Sequence, residues 1–360
     1  MTPTSEDEMA EMIRDSAGLI SVHGGGTRGV MVDGQPISTT GLSGISLYEP
    51  GALTLVVKAG TPLAEVEAAL ATEGQRLAFE PTDMRALLKT NGVPTIGGVV
   101  ATNASGPRRI QVGACRDHLL GVRFVDGVGN IVKNGGRVMK NVTGYDLVKL
   151  LAGSYGTLGV MTEVSLKVLP LPQAVATLSI PDLDAAQAVA AMSAALGSPY
   201  DVTGAAWVDG VAMVRLEGFS ESVAYRADRL AQDLAHFGAV TFGDADWSAA
   251  RDARAFADQS GDVWRISIRP SAMPAMVSAL RARGDVQVMA DWGGGLLWVV
   301  CEAERDLRTD VGNGHATRVR GNTNAAIPRF HPEPVAVAAL SRGLRKRFDP
   351  RGILNAGVMG

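Results

Sequence analysis

Two cysteines in 360 residues, Cys115 and Cys301, are too few for a disulfide framework, a cysteine-based zinc site or the four thiolates of an iron–sulfur cluster. Any such cluster must sit on another chain. Neither sign of charge dominates: 34 Lys and Arg face 37 Asp and Glu, a net charge of −3. That balance argues against a protein built to neutralise nucleic-acid phosphates. No apolar run approaches the ~18 residues of a membrane span, and the stretch 295–301 is only strand-sized. The start, MTPTSEDEMAEM, is acidic where an export signal is basic and then apolar, so a cytoplasmic chain is expected. What remains is a globular composition, 46% apolar, long enough for about two domains at roughly 150 residues each.

Glycine is the residue in excess. The chain has 43, of which 25 fall in residues 1–170, against a usual share of ~7%. Backbone there must turn sharply or approach something closely, so a ligand is sought in the front half.

The pattern reads as a short helix over 6–17, a strand over 19–22 and then His23-Gly24-Gly25-Gly26-Thr27-Arg28-Gly29. A strand at 53–58 follows, and Thr61-Pro62 reads as cap and first position of a helix carrying Leu63, Val66 and Leu70. Residues 79–135 show no helical periodicity and read as loops and short strands. A helix at 145–152 precedes Gly153 to Gly159 and a strand at 160–168. Leu169-Pro170-Leu171-Pro172 is the best domain boundary, because two prolines in four residues stop a strand. Beyond it, strand 175–180, a helix with Ala185, Val189, Met192 and Leu196 on one face, strands 203–207 and 211–216, a helix capped by Ser220, and strand 239–242 give the βαββαβ order of a ferredoxin-like unit. A weaker version recurs at 264–268, 271–283, 286–290 and 296–301, so an internal duplication is expected. A last helix spans 334–347. The fold class is therefore α+β, with domains at 1–170, 173–325 and 326–360, the last packing back on the first.

Gly24 to Gly29 satisfies G-x-G-x-x-G after a strand, but Val30-Met31-Val32-Asp33-Gly34 offers no helix, so the dinucleotide fold that needs one is rejected. Consecutive residues without Cβ can still converge their N–H groups into an anion-holding nest, with Arg28 adding a fixed charge. The segment 94–106, with Gly97-Gly98, Asn103 and Gly106, is read as irregular backbone able to lie flat against a planar ring. Three separated glycine clusters suit an extended ligand with a charged middle, such as FAD.

The segments HGGGTRG, PTIGGVVATNASGPRRIQVGACRDHLLGVRFVDGVG, KNVTGYDLVKLLAGSYGTLGVMTEVSLKV and FDPRGILNAG resemble the FAD-binding type shared by vanillyl-alcohol oxidase and p-cresol methylhydroxylase, PCMH for short. Within it the chain is most similar to the FAD-binding E subunits of glycolate oxidase, which work beside a longer flavoprotein D subunit and an iron–sulfur F subunit. The resemblance implies a two-part PCMH-type domain. It implies that Gly24, Gly25, Gly26, Thr27, Arg28 and Gly29 hold the FAD pyrophosphate. It further implies that Thr95, Ile96, Gly97, Gly98, Thr102, Asn103, Ser105 and Gly106 line the flavin, that Gly159 and Val160 lie near the nucleotide end, and that Pro81 begins a loop brought to the cofactor. Flavinylated relatives carry a linking His just after the glycines; here that side is Thr27-Arg28 and His23 precedes them, so noncovalent FAD is expected. Many relatives acting on 2-hydroxy acids carry a late paired-histidine metal motif, whereas His315 and His331 stand sixteen apart in unrelated settings, and no metal is expected.

Oxidising a small 2-hydroxy acid needs a cation for its carboxylate and a base near its hydroxyl. Arg318, Arg320 and Arg329 with His315 or His331 form one candidate set; the plainer reading is a solvated or interface-facing cluster, and no catalytic residue is assigned. His118 beside Asp117 reads as structural, and His236 as the end of an amphipathic helix. Lys140 and Tyr145-Asp146 either position FAD or cap a helix. The basic tail segment 342–351 reads as a solvated helix end, with docking on a partner or an anionic membrane surface as the alternative. The leading expectation is an FAD subunit of a cytoplasmic glycolate-oxidising complex, held at the inner membrane face through that complex if at all. A stand-alone 2-hydroxy-acid dehydrogenase and a flavin-free scaffold are the alternatives.

Overall fold

A computed structural model describes residues 1–30, 32–137, 144–243, 245–322 and 327–359. Helix α1, Glu6–Asp15, starts where the Ser5 hydroxyl accepts the Glu8 N–H at 3.2 Å, and it buries Met9, Ala10 and Ile13. Strand β1, Ile20–His23, pairs in parallel with β2, Gln35–Ser38. Strands β3, Ile45–Glu49, and β4, Thr54–Lys58, lead to α2, Leu63–Ala71. The short β5, Gln75–Arg76, precedes three helices, α3 (Arg85–Leu88), α4 (Ile96–Ala101) and α5 (Arg109–Val112). Strands β6, Leu119–Val125, and β7, Ile131–Gly135, helix α6, Leu147–Leu151, and strand β8, Val160–Lys167, complete an antiparallel sheet in the order β3-β4-β8-β6-β7. The two-residue β9, Leu169–Pro170, pairs back with β5 at the proline-rich stretch.

Four expectations are corrected here. Residues 79–135 do contain helices, but of four to six residues, too short for a 3.6 period to show. The segment read as irregular is α4, begun by Thr95, whose hydroxyl accepts the Gly98 N–H at 3.3 Å. Gly97 has the small size needed there, since a Cβ would come within 2.6 Å of the Ala59 carbonyl oxygen. Thr61 does not cap α2: its hydroxyl donates to Lys58 O at 2.7 Å and accepts the Gly44 N–H at 2.9 Å, holding two loops together. Ser220 is the first helical residue of its helix and caps nothing; Phe219 occupies the cap position.

From Ala174 onward the order is β10 (Ala174–Ile180), α7 (Ala185–Leu196), β11 (Val202–Val208), β12 (Val211–Gly218), α8 (Ser220–Leu234), β13 (Thr241–Phe242), α9 (Trp247–Arg251), β14 (Asp262–Ser267), α10 (Met273–Ala282), β15 (Val286–Asp291), β16 (Leu296–Cys301) and β17 (His315–Arg320). All the strands join one antiparallel sheet, β13-β10-β12-β11-β15-β16-β14-β17. Numbered within each unit, that order is 4-1-3-2 followed by its mirror 2-3-1-4, so the strand order is duplicated in full. The second unit has only a short 3₁₀ turn, Leu307–Asp310, where the first has α8. Helices α7, α8 and α10 cover one face and build the largest apolar core, with Leu178, Met192, Leu230, Trp264 and Leu280 inside it. The opposite face packs Ala206, Met213, Val263 and Trp298 against Met84 and Leu87 of the front part.

Helix α11, Val335–Phe348, buries none of its residues, and Arg342, Lys346 and Arg347 on it are exposed. The tail beyond it returns to β1, as expected: the Ile20 N–H donates to Ile353 O at 2.8 Å and the Asn355 N–H to Ile20 O at 3.0 Å. The buried Asn355 side chain accepts the Val22 N–H at 2.7 Å and donates to Val22 O and Tyr155 O at 3.2 and 2.8 Å. Asn355→Ala strands these groups, so a loss of about 3 kcal/mol is expected in urea unfolding, from one or two orphaned buried groups at ~1–3 kcal/mol each. No helix among the described residues is long and apolar enough to cross a membrane.

Candidate functional site

The glycine loop leaves β1 and lies against residues 92–95. A Cβ on Gly25 would overlap the Val93 carbonyl oxygen, and one on Gly24 would overlap Thr95 Oγ1. Gly26 and Gly29 take φ of +69° and +63°, the left-handed region that only glycine enters freely. Among the described residues, no backbone N–H of residues 24–29 donates to a protein acceptor. Thr27 is buried. Arg28 donates from Nη1 to Thr82 Oγ1 at 2.8 Å, while its Nη2 is buried without a partner. Burial pushes that guanidinium below its usual pKa. Arg329 donates to Gly29 O at 2.6 Å and Arg28 O at 3.1 Å, and its Nε is likewise buried and unpaired.

Thr95, Ile96, Gly97 and Gly98 form the start of α4, where the amides of Ile96 and Gly97 donate to Thr61 O and Ala59 O. Thr102 ends that helix, its hydroxyl bonded to Gly98 O at 2.8 Å. Asn103, at φ +48°, accepts the Arg116 N–H, and Ser105 accepts the Cys115 N–H. Gly106 lies where a Cβ would come within 2.7 Å of Glu80 O. Pro81 is buried beside Thr82. Gly159 passes so close to the Phe124 ring that a Cβ would sit 2.6 Å from it, and Val160 packs with Ile20, Ile353 and Leu354.

Arg28, Thr102, Asn103 and Ser105 from this set meet in one cleft between the front part and the open face of the eight-stranded sheet. Thr82 and Tyr155 join them on the front wall. The sheet wall is built by cross-strand register. Asp291 pairs with Leu296, Trp298 with Arg265, and Arg265 with Thr317, so all five side chains stand on one face. Arg109, Arg251 and Arg329 also line it, which makes five arginines against one carboxyl. Arg251 is bound to Asp252 at 2.7 Å. The Arg265 guanidinium makes no hydrogen bond among the described residues; it stacks 5.0 Å from the Trp292 ring, which Arg109 also covers at 4.5 Å. Burial lowers the Arg265 pKa to about 10.

Asp291 is 2% exposed and sits at the end of β15. One oxygen accepts the Trp292 N–H at 2.7 Å, and burial raises its pKa to about 7. Trp292, Gly293 and Gly294 follow with φ of +55°, +66° and +97°, an uncommon conformation for a residue as bulky as Trp. The Trp292 indole N–H reaches Gly106 O at 3.1 Å and ties this turn to the front part. The indole N–H of Trp298 is buried without a partner.

Sequence reasoning missed Arg265 and Asp291, which look like ordinary polar positions in separate strands. The available signal was Asp291-Trp292-Gly293-Gly294-Gly295, a fourth glycine cluster one residue after an acid. The C-terminal set divides. His315 and His331, expected in unrelated settings, have ring centres 5.4 Å apart, and His331 Nδ1 accepts the Ala316 N–H at 3.3 Å. Arg318 is committed to Asp262 and Asn322 O, and Arg320 to the carbonyls of Leu87, Phe256 and Gln259. Only Arg329 of the three faces the cleft. His118 is structural, bonded to Val112 O at 3.1 Å, and His236 bonds Asp233 O at its helix end. Asp146 caps α6, while Lys140 lies outside the described residues. No cluster of three metal-ligating side chains occurs among the described residues.

Residues 1–135 match the FAD binding domain family. Glycolate oxidase subunit GlcE of Escherichia coli (strain K12) is 33% identical over 98% of this chain and 95% of its own length. Glycolate oxidase subunit GlcD of Bacillus subtilis (strain 168) is 35% identical over 35% of this chain and 25% of its own length. Among solved structures, an alkyldihydroxyacetonephosphate synthase superposes with a TM-score of 0.71 at 18% identity, covering 99% of this chain and 75% of that one. On the strength of its near full-length likeness to GlcE, this chain belongs to the PCMH-type family of FAD-linked oxidoreductases that act on CH–OH groups.

Proposed function

We propose that the chain is the FAD-binding subunit of a complex that oxidises glycolate to glyoxylate, beside a longer flavoprotein subunit and an iron–sulfur subunit that carries electrons onward. The observation behind this reading is the set of unsatisfied donors at one junction: Arg28 Nη2, Arg329 Nε and the free amides of residues 24–29. Buried donors without partners, as Arg28 Nη2 and Arg329 Nε are, are rare and costly in proteins, and a diphosphate would satisfy them together with the free amides of the loop. Gly24 to Gly29 and Arg28 would hold that group noncovalently. Thr102, Asn103 and Ser105 would face the ring system, with Pro81, Gly106, Gly159, Val160 and the α4 start at Thr95, Ile96, Gly97 and Gly98 shaping the surrounding wall. Bound FAD supplies a two-electron oxidant that can pass electrons on singly. The kinship with GlcE and the local likeness to GlcD support glycolate as substrate and a complex as the working form. The two cysteines cannot hold an iron–sulfur cluster, so that carrier must be a separate chain.

The test is co-expression with D-type and iron–sulfur subunits, counting flavin per chain, and following flavin bleaching on anaerobic addition of glycolate. A colourless chain within an active complex would leave only a scaffold role. Arg28→Gln is expected to cut retained flavin sharply, with FAD affinity falling about tenfold or more, since a charge-assisted contact is worth ~1.5–3 kcal/mol; equilibrium dialysis reads it.

A further inference from the structure

The sheet wall of the cleft carries a charge arrangement that FAD binding leaves unexplained. Arg265 and Asp291 stand two strands apart, with Leu296 and Trp298 forming an apolar floor between them. Trp292 fixes the pair from behind, holding the Asp291 carboxylate with its N–H and stacking on Arg265. Its left-handed backbone is the kind of strain found where function demands a geometry. The second Asp291 oxygen accepts no hydrogen bond and is not sealed from the cleft.

Resting on the flavin reading above, we propose that Arg265 holds the carboxylate of a small 2-hydroxy acid and Asp291 accepts its hydroxyl proton, so that this chain itself carries a complete substrate site. In the reaction the O–H bond breaks and its proton passes to Asp291. The α-C–H bond breaks and its electron pair leaves with the hydrogen to the flavin oxidant, and the second C–O bond of the 2-oxo acid forms. Arg215 and Arg265 favour the Asp291 carboxylate, Glu80 opposes it, and burial opposes it most; Arg109 and Arg251 line the same cleft. Asp291 therefore changes charge near neutral pH.

The probe is oxalate, which offers a carboxylate but no oxidisable C–H, titrated calorimetrically into the purified full-length chain. Its second carboxylate would face Asp291, so the dissociation constant is expected to rise toward about tenfold per pH unit above pH 7 as Asp291 ionises. Asp291→Asn, which keeps an oxygen for the Trp292 N–H, should remove that slope, and Arg265→Gln should weaken binding about tenfold or more. Flavin reduction by glycolate should rise with pH through 7 and plateau, and should fall about 10²- to 10⁴-fold in Asp291→Asn. A flat oxalate profile in the parent chain, or a slope untouched by Asp291→Asn, overturns the assignment even if flavin is bound and reduced. Because oxalate binding needs no flavin, loss of colour with the slope intact would refute the flavin reading and leave the anion subsite standing.

Discussion

Glu80→Ala is expected to destabilise the protein by about 3–5 kcal/mol, the range for breaking a buried charge network by removing one partner. The Arg215 guanidinium, 5% exposed, donates to both Glu80 oxygens at 2.8 and 2.9 Å, and the Arg108 N–H adds a third bond at 2.9 Å. Glu217 pairs with Arg76 at 2.9 Å, with Arg215 at 3.4 Å and with Arg108. Three guanidiniums thus share two carboxylates, and burial, with repulsion from Arg76 next, takes the Arg108 pKa down to about 9. Removing a carboxylate leaves three cations, two of them buried, around one anion. Arg76, Glu80 and Arg108 come from the front part and Arg215 and Glu217 from β12, so the network joins the two walls of the cleft. Urea unfolding followed by circular dichroism reads the loss, and Glu80→Gln, which keeps an acceptor, should cost less. A loss below about 1 kcal/mol would mean that these charges stay hydrated and contribute as surface pairs do.

Gly25→Ala should strip the protein of FAD while leaving most of its fold. The added methyl would overlap the Val93 carbonyl oxygen, a backbone atom that cannot rotate away. The loop must lift from residues 92–95, which displaces the unbonded amides of residues 24–29. The expected result is a purified chain with at most about a tenth of the parent's flavin, as when a charge-assisted grip worth ~1.5–3 kcal/mol is lost. Helicity should be kept, because α7, α8 and α10 lie on the far side of the large sheet. Gly26→Ala is the comparison. No protein atom lies within 4 Å of a Cβ there, so the change leaves the loop against residues 92–95 and meets, within the protein, only the strain of φ +69°, about 1–2 kcal/mol for an L-residue. It should lower stability less than Gly25→Ala does. Flavin at the parent's level in Gly25→Ala would show that the loop does not grip the cofactor.

These variants separate what local pattern conveys from what it cannot. The βαββαβ order was legible because alternation in strands and 3.6-residue stripes in α7 and α8 are properties of short segments, and the duplication followed from meeting that order twice. Helix α4 was not legible: six residues with two glycines have no stripe, and its start depends on the Thr95 hydroxyl and on room against Ala59. His315 and His331 looked unrelated at sixteen residues apart, yet the chain turns back after β17 and stacks their rings.

The sequence alone determined the class of the protein. Clustered glycines require close backbone approach, two cysteines exclude a resident cluster, and a proline pair separates the glycine-rich front from the repeated units. Tertiary structure alone decided which charges meet in the cleft. Arg265, Asp291 and Arg28 lie far apart along the chain and share no local motif; cross-strand register and the packing of one wall on the other bring them together. Register depends on pairing partners distant in the chain, whereas glycine acts through its own φ and missing Cβ, which is why the tight glycine loop was readable and the acid–arginine pair was not.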